Sequence, residues 1–319
     1  MNFPFADYYW LYGVFVGFVF LLVLFDLGLI SKSKQNITTK EALAWSVVWI
    51  TVGLLVGVGV WQYSVFKFGA SVGSQLGLEY LSGYLIEKAL AIDNIFVFVL
   101  IFTSLKIPKN LQRKVLGWGI LGALFFRAIF ISIGSVLVQY KFMLYIFGAF
   151  LLITGIKMAF PTKEELKLED GFMYKTLKKI LPLTPSLEGG RFWIKENGKK
   201  LFTPLFLALL LIEFSDIIFA IDSVPAIFAI TKEPFIVFTS NMMAILGLRS
   251  LYLVLADAIH RFGYLKYGLS FILIFVGLKM VWLNDLFDGH FPISWSLGII
   301  GLVLLISIAA SWFKEEKPA

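Results

Sequence analysis

Ala220–Pro225 read AIDSVP inside an apolar run spanning about 201–230, and Ala91–Asn94 read AIDN inside another spanning about 80–104. An aspartate near the centre of a bilayer-crossing segment costs about 2.5–3.5 kcal/mol to insert. Repeating that cost in two similar contexts points to a polar site built inside a membrane. Working outward, nine apolar runs can be marked, at 8–31, 42–62, 80–104, 115–138, 142–160, 201–230, 235–259, 264–283 and 293–313. Each is long enough for a hydrocarbon core of about 30 Å. The runs are continuously apolar rather than alternating, which selects helices over a closed barrel. Residues are 59% hydrophobic and 15% charged, beyond the apolar share of a soluble domain. The expected fold is therefore all-α, a polytopic membrane protein of nine transmembrane helices.

The loops after runs 1, 3, 5 and 7, with the C-terminal tail, hold 20 of the 28 Lys and Arg, whereas the opposite loops hold Lys67, Lys141 and Lys232. By the positive-inside rule the basic side is cytoplasmic, with the N-terminus outside and the C-terminus inside a bacterial inner (plasma) membrane. These loops account for the net charge of +7, so no nucleic-acid partner is called for. The first run lacks a basic leader and is too long for a signal-peptide core, so no cleaved signal is expected. There is no cysteine, which excludes disulfides, thiolate ligands and thiol catalysis. No GxxxxGK[ST] loop occurs, so nothing suggests nucleotide hydrolysis.

The acidic stretches belong to a longer echo. Ile92-Asp93 matches Ile221-Asp222 at an offset of 129, with Glu87 falling on Asp216 and Asn94 on Ser223. Arg127 matches Arg249, and GIKM at 155–158 matches GLKM at 277–280, both at an offset of 122. The offset changes between a long loop, 105–114, and a short one, 231–234, where insertions belong. Each copy holds three helices, and an odd number inverts the second copy, the architecture of many secondary transporters. The division is then 1–78, two N-terminal helices; 79–160, the first repeat; 161–200, a basic cytoplasmic linker; 201–284, the inverted second repeat; and 285–319, the last helix and tail.

Run 3 carries Glu87, Lys88 and Asp93, and run 6 carries Glu213, Asp216 and Asp222. Structural pairing with Lys88, Arg127 and Arg249 is the bland account, but it leaves a surplus of about two carboxylates, which bound protons or a cation would offset. Glu87 to Asp93 and Asp216 to Asp222 are each six apart, about 240° around and 9 Å along a helix. No straight helix presents such a pair to one ion. Either the helix is interrupted, with Pro225 freeing the carbonyl of Ile221, or the ion sits between Asp93 and Asp222. The donors are oxygens: carboxylates, the Asn94 amide and the Ser223 hydroxyl. With no Cys and both His outside the apolar centres, a hard ion such as manganese, calcium or magnesium fits better than copper or zinc; sodium and protons are further candidates. Asn241 needs a hydrogen-bonding partner, and Asp26 divides between interface and site. Glu79 is expected to be solvated, Lys157 and Lys279 to snorkel, and Asp257 to pair with His260 or Arg261.

GYLIEKALAIDNIFVF at 83–98, EFSDIIFAIDSVPAIFAIT at 213–231 and FTSNMMAILGLRSLY at 238–252 closely resemble the signature segments of the TerC/Alx family of integral membrane proteins, over residues 10–310. The resemblance implies manganese homeostasis, chiefly export, an association with tellurium-resistance operons, and a place among three-plus-three inverted-repeat exporters. It carries the motif positions Glu87, Asp93, Asn94, Glu213, Asp216, Asp222, Ser223 and Pro225, extended by Asn241 and Arg249.

The leading expectation is a non-enzymatic secondary transporter exporting Mn²⁺ or a similar ion against protons. It has no tightly bound cofactor, Asp93, Asp222, Asn94, Ser223, Glu87, Asp216 and Glu213 are its metal candidates, and Asp216 and Glu87 exchange protons or gate. The alternative is a membrane scaffold, aiding insertion or metalation of other proteins, whose partner binds the 161–200 linker. An intramembrane aspartyl hydrolase also uses two aspartates, but here the two belong to copies of one repeat.

Overall fold

The computed structural model describes residues 4–32, 38–160, 171–196, 198–256, 264–287 and 291–313. Its helices are α1 (Tyr9–Lys32), α2 (Thr39–Phe68), α3 (Ala70–Ser104), α4 (Lys109–Leu137), α5 (Lys141–Ala159), α6 (Phe172–Ile180), α7 (Pro204–Phe228), α8 (Pro234–Ile245), α9 (Leu248–Leu255), α10 (Leu265–Leu286) and α11 (Ile293–Phe313). Among the described residues seven of these, α1, α2, α4, α5, α7, α10 and α11, are long and apolar enough to cross a membrane, and α8 with α9 makes an eighth, bent by 42°. The remaining predicted run lies in α3, whose Glu79, Glu87, Lys88 and Asp93 lower its apolar character. α3 tolerates them because it packs against α2, α7, α8 and α11, leaving lipid to faces such as Val16 and Phe20 of α1 and Leu302 and Leu305 of α11.

The first surprise is length. α3 starts at Ala70, ten residues before its apolar run, and its extra turns pack on α2, where the Tyr80 hydroxyl donates to the carbonyl of Gly53 at 2.8 Å. A fold with 35 residues in one helix spans about 52 Å, well beyond the apolar core.

α5 and α10 form a close helix pair. A Cβ on Gly155 would stand 2.8 Å from the Ile274 side chain and 2.9 Å from the carbonyl oxygen of Ser270. A Cβ on Gly277 would stand 2.8 Å from the Leu152 side chain and 2.8 Å from the carbonyl oxygen of Gly148. The two sets of contacts interchange under the offset of 122 residues. Small residues at both crossings let the backbones touch, so packing rather than water exclusion holds the pair. At the element level the same exchange appears: α4 packs on α7, and α8 packs on α3.

Pro225 does not interrupt α7, contrary to one of the two sequence expectations. The helix runs through Asp222 to Phe228 without a break, with Pro225 in its last turn and unable to donate to the carbonyl of Ile221. The break falls instead at Leu246-Gly247, between α8 and α9. Gly247 has φ +83°, and a Cβ there would stand 2.4 Å from Cβ of Trp49 on α2. Gly247→Ala therefore combines left-handed strain with a clash and should lower stability by about 2 kcal/mol or more, read as a fall in Tm of the detergent-solubilised protein.

The 161–200 segment, expected to be a linker, is folded from residue 171 onward; residues 161–170 and 197 lie outside the described residues. α6 is followed by an antiparallel hairpin of β1 (Trp193–Glu196) and β2 (Lys199–Phe202), with Glu196 opposite Lys199. Asn197-Gly198 is the two-residue connection such a hairpin favours. The hairpin region docks on the basic end of the bundle: Lys114 donates to the carbonyl of Gly190 at 2.7 Å, and Leu183, Leu187 and Phe192 join the core around Val115 and Leu207.

Candidate metal site between the two similar helices

α3 and α7 each bring an acid, and the structure places both on one cavity. It has a volume of about 340 Å³ and is lined by Asp93, Asn94 and Glu87 from α3, Asp222 and Ser223 from α7, and Thr154 from α5, among others. The Thr154 hydroxyl donates to Oδ1 of Asp222 at 3.3 Å. Thr154 was not among the sequence candidates, although it directly precedes the repeated GIKM stretch and lies one turn from Lys157 and Met158, which also line the cavity. Lys157 lines the cavity while remaining exposed near the end of α5, as a snorkelling lysine does, whereas Lys279, at the matching position, is only 3% exposed.

Glu87 and Ser223 are both engaged by one guanidinium. Arg127 Nη1 lies 2.5 Å from Glu87 Oε1 and donates to Ser223 Oγ at 2.5 Å, while Asn241 Nδ2 donates to the other oxygen of Glu87 at 3.2 Å. All four residues are nearly completely buried. A buried pair of this kind is costly to break from one side, because the remaining charge loses its partner. The bland account of the acids is thus right for Glu87.

The matching arrangement in the second half is different. Arg249 is equivalent to Arg127, yet its Nη2 pairs with Oδ1 of Asp26 at 2.7 Å and donates to the Asp26 carbonyl at 3.0 Å. Asp26 is thereby a buried structural partner that ties α1 to α9, not an interfacial residue. Asp216, equivalent to Glu87, receives Asn94 Nδ2 at 3.4 Å and has no ion pair among the described residues. It lines a separate small cavity of about 10 Å³ together with Arg249 and Gly119. Arg249 Nη1 and Asn94 Oδ1 are both buried without a hydrogen-bond partner among the described residues.

Lys88 is not part of the acidic group. One residue along a helix is a turn of about 100°, and Lys88 points to the α8–α9 break, donating to the carbonyls of Ala244 at 2.8 Å and Leu246 at 3.1 Å. These oxygens lost their helical partners at the bend, so the ammonium caps them. Glu213 lies elsewhere again, against Gly119 and Gly122 of α4, with Oε2 buried and unpartnered among the described residues. A Cβ on Gly122 would stand 2.0 Å from that oxygen, so the glycine makes the room. Asp257 and its expected partners fall in 257–263, outside the described residues.

Of the sequence candidates, then, Asp93, Asp222, Asn94, Ser223 and Glu87 share one cavity, whereas Asp216 and Glu213 do not line it. Among the described residues no three His, Cys, Asp or Glu side chains gather at one point. The cavity instead offers two carboxylates without a salt-bridge partner and several neutral oxygens, a donor set that suits a hard divalent ion retaining part of its water shell.

The family model described as "Integral membrane protein TerC family" matches residues 72–319. "Uncharacterized membrane protein STKORF319" of Myxococcus xanthus is 46% identical over 307 residues, covering 96% of this chain and 93% of that protein. Proteins named "Putative membrane-bound redox modulator Alx" are 45% identical over 312 residues in Escherichia coli K12 and 44% over 310 residues in Photorhabdus laumondii, with 96% of each chain covered in both cases. No solved structure matches. The match extends across both acidic helices, the broken α8–α9 pair and the paired α5 and α10, and the chain belongs to the TerC family of integral membrane proteins.

Proposed function

We propose that this protein is a secondary transporter that exports a hard divalent cation, manganese first, from the bacterial cytoplasm across the inner membrane in exchange for protons. Its basic end faces the cytoplasm and its N-terminus lies outside. The observation that carries the reading is the cavity shared by Asp93 and Asp222, one from each similar helix, with neutral oxygens from Asn94 and Thr154 beside them. Two carboxylates match the charge of one divalent ion. The reciprocal contacts of Gly155 and Gly277 support reading residues 79–160 and 201–284 as an inverted repeat around that site. The relatives' redox name needs no thiol here: without cysteine, a redox effect of this chain would have to run through the ion it binds or moves.

Asp216 is the proton carrier in this reading. It is buried, accepts from the Asn94 amide and has no ion pair among the described residues, and such a carboxylate is neutralised by a proton or an arriving ion. Glu87, held by Arg127, has its charge already matched. In proteoliposomes, Mn²⁺ movement should drive an opposite proton flux reported by a pH-sensitive dye, and cells expressing the protein should hold less manganese. Asp216→Asn should uncouple proton flux more severely than Glu87→Gln, whose main effect should be lower stability from a stranded Arg127. Metal flux with no proton movement at any pH would remove the antiport mechanism, and no change in cellular manganese would remove the transport reading.

The scaffold alternative rests on the folded basic-end segment, with Lys178 and Lys179 exposed on α6. Because this segment covers core residues, deleting it would not separate the readings. Lys178→Glu with Lys179→Glu does: transport should be unaffected, whereas a scaffold would lose its partner.

A further inference from the structure

A second polar cavity lies at the end opposite the basic loops. It has a volume of about 700 Å³ and gathers residues from the start of α3, the α7–α8 connection, the end of α10 and the start of α11. Its polar wall holds Glu79, Thr231, Glu233 and Lys279. Glu79 is buried, not solvated as its position at the head of an apolar run suggests. The Thr231 hydroxyl donates to Glu79 Oε2 at 2.5 Å and accepts from the backbone N–H of Glu233 at 3.1 Å, so one hydroxyl joins the two acids. Gln75 Nε2 donates to the other oxygen of Glu79 at 2.9 Å.

Glu233 is 4% exposed, and its Oε2 has no hydrogen-bond partner among the described residues. Its other oxygen receives the N–H of Phe235, at 3.5 Å, which makes Glu233 the N-cap of α8. Burial pushes this carboxyl up to about 7, opposed by the backbone N–H groups of Phe235 and Phe5 and assisted by Glu79. A buried oxygen left without a partner costs about 1–3 kcal/mol, and more when charged.

The position of this cavity relative to the Asp93–Asp222 cavity is read along four helices at once. On α3 the outer cavity uses residues 71–79 and the inner one 87–94; on α7 with its following loop, 228–233 and 219–223. On α5 the order is Leu144 then Thr154, and on α10 it is Lys279 then Leu273. Between them on these same helices lie Ile86, Leu151, Ala226 and Val276, all fully buried and packed in one apolar cluster. Two polar cavities in line, separated by one apolar layer, match the two sides of an alternating-access path.

We propose that the outer cavity is a second station for the divalent cation, held by Glu233 and Glu79 with the Thr231 hydroxyl, an inference that rests on the transport reading of the inner cavity. Lys279 stands within the electrostatic reach of Glu79 and is a tethered cation that the ion must displace. Lys157 lines the inner cavity and Lys232 lines the outer one beside Lys279, so each station carries at least one ammonium that competes with the metal and favours its departure. The ion moves from Asp93 and Asp222 to Glu233 and Glu79 when the apolar layer parts.

The test is a titration of the full-length protein in lipid nanodiscs with Mn²⁺ alone, bound ion being counted by electron paramagnetic resonance. The expected result is two bound ions in the unsubstituted protein, one in Glu233→Gln, one in Asp222→Asn and none in the double variant. Lys279→Met should tighten the ion that Glu233→Gln removes by about tenfold. Unchanged stoichiometry and affinity in Glu233→Gln, with the Asp222→Asn ion still lost, would overturn the outer station and leave the inner one standing. Loss of an ion in Glu233→Gln but not in Asp222→Asn would instead overturn the transport reading of the inner cavity. If Glu233→Gln does not fold, Lys279→Met decides, because an affinity no tighter than that of the unsubstituted protein contradicts competition at this site.

Discussion

Asp93→Asn and Asp222→Asn should each reduce Mn²⁺ flux roughly a hundredfold or more while leaving the protein folded in the membrane. The size of the effect follows from charge. In the proposed transport, a hard divalent ion would give up strongly held water to enter the cavity, and two carboxylates there would offset its charge. An asparagine keeps the shape and can still accept a hydrogen bond, as Asp222 does from Thr154 at 3.3 Å. It therefore removes half the compensating charge with little disturbance of packing. Neither aspartate is in a salt bridge among the described residues, so neither substitution strands a buried cation, which separates this pair from Glu87 with its Arg127. The measurement is Mn²⁺ entry into inside-out vesicles, normalised to the amount of protein. Asp285→Asn is the control: Asp285 is exposed, accepts from Tyr145 at the end of the bundle, and should be neutral. Flux above half the unsubstituted rate in either aspartate variant would contradict a site built jointly from the two helices.

That Asp93 and Asp222 share one cavity was legible from the sequence, where similar residues surround the two aspartates at an offset of 129. Apolar length made seven of the nine expected spans legible, and the bent α8–α9 pair as an eighth, but not the charged α3. What escaped depended on direction or on distant contacts. Lys88 is adjacent to Glu87 in sequence, but the turn of the helix points it to the α8–α9 break. Pro225 is a visible helix breaker that happens to fall in a final turn, while the true bend uses Gly247, whose need for glycine is set by Trp49, some 200 residues away. Glu79 and Glu233 read as loop-edge acids because hydropathy describes one segment at a time and cannot report a cavity formed where four segments end. Asn197-Gly198, by contrast, was an available hairpin signal within what reads by composition as a linker.

Breaking the Asp26–Arg249 pair from one side should cost about 3–5 kcal/mol, the second of the large expected effects. Both side chains are about 94% removed from solvent, and Arg249 also donates to the Asp26 backbone, so neither charge has water to fall back on. Asp26→Asn and Arg249→Gln should each lower the Tm markedly, whereas the double variant should cost less than the sum of the two, because it leaves no buried charge behind. The functional consequence follows from the position of Arg249. In the first half the equivalent Arg127 holds Glu87 and Ser223; in the second, Asp26 draws Arg249 away from Asp216 and Asn94. Asp26 belongs to α1, which lies before the family-matched residues 72–319. Asp26→Asn releases Arg249 beside the small cavity it shares with Asp216, and the guanidinium then has one nearby acid left to pair with. Proton-coupled flux should fall in Asp26→Asn, and the Asp26→Asn/Arg249→Gln double variant should recover part of it by removing the competing charge. An Asp26→Asn protein with unchanged Tm and unchanged flux would show that the pair neither holds α1 in place nor keeps Asp216 available for a proton.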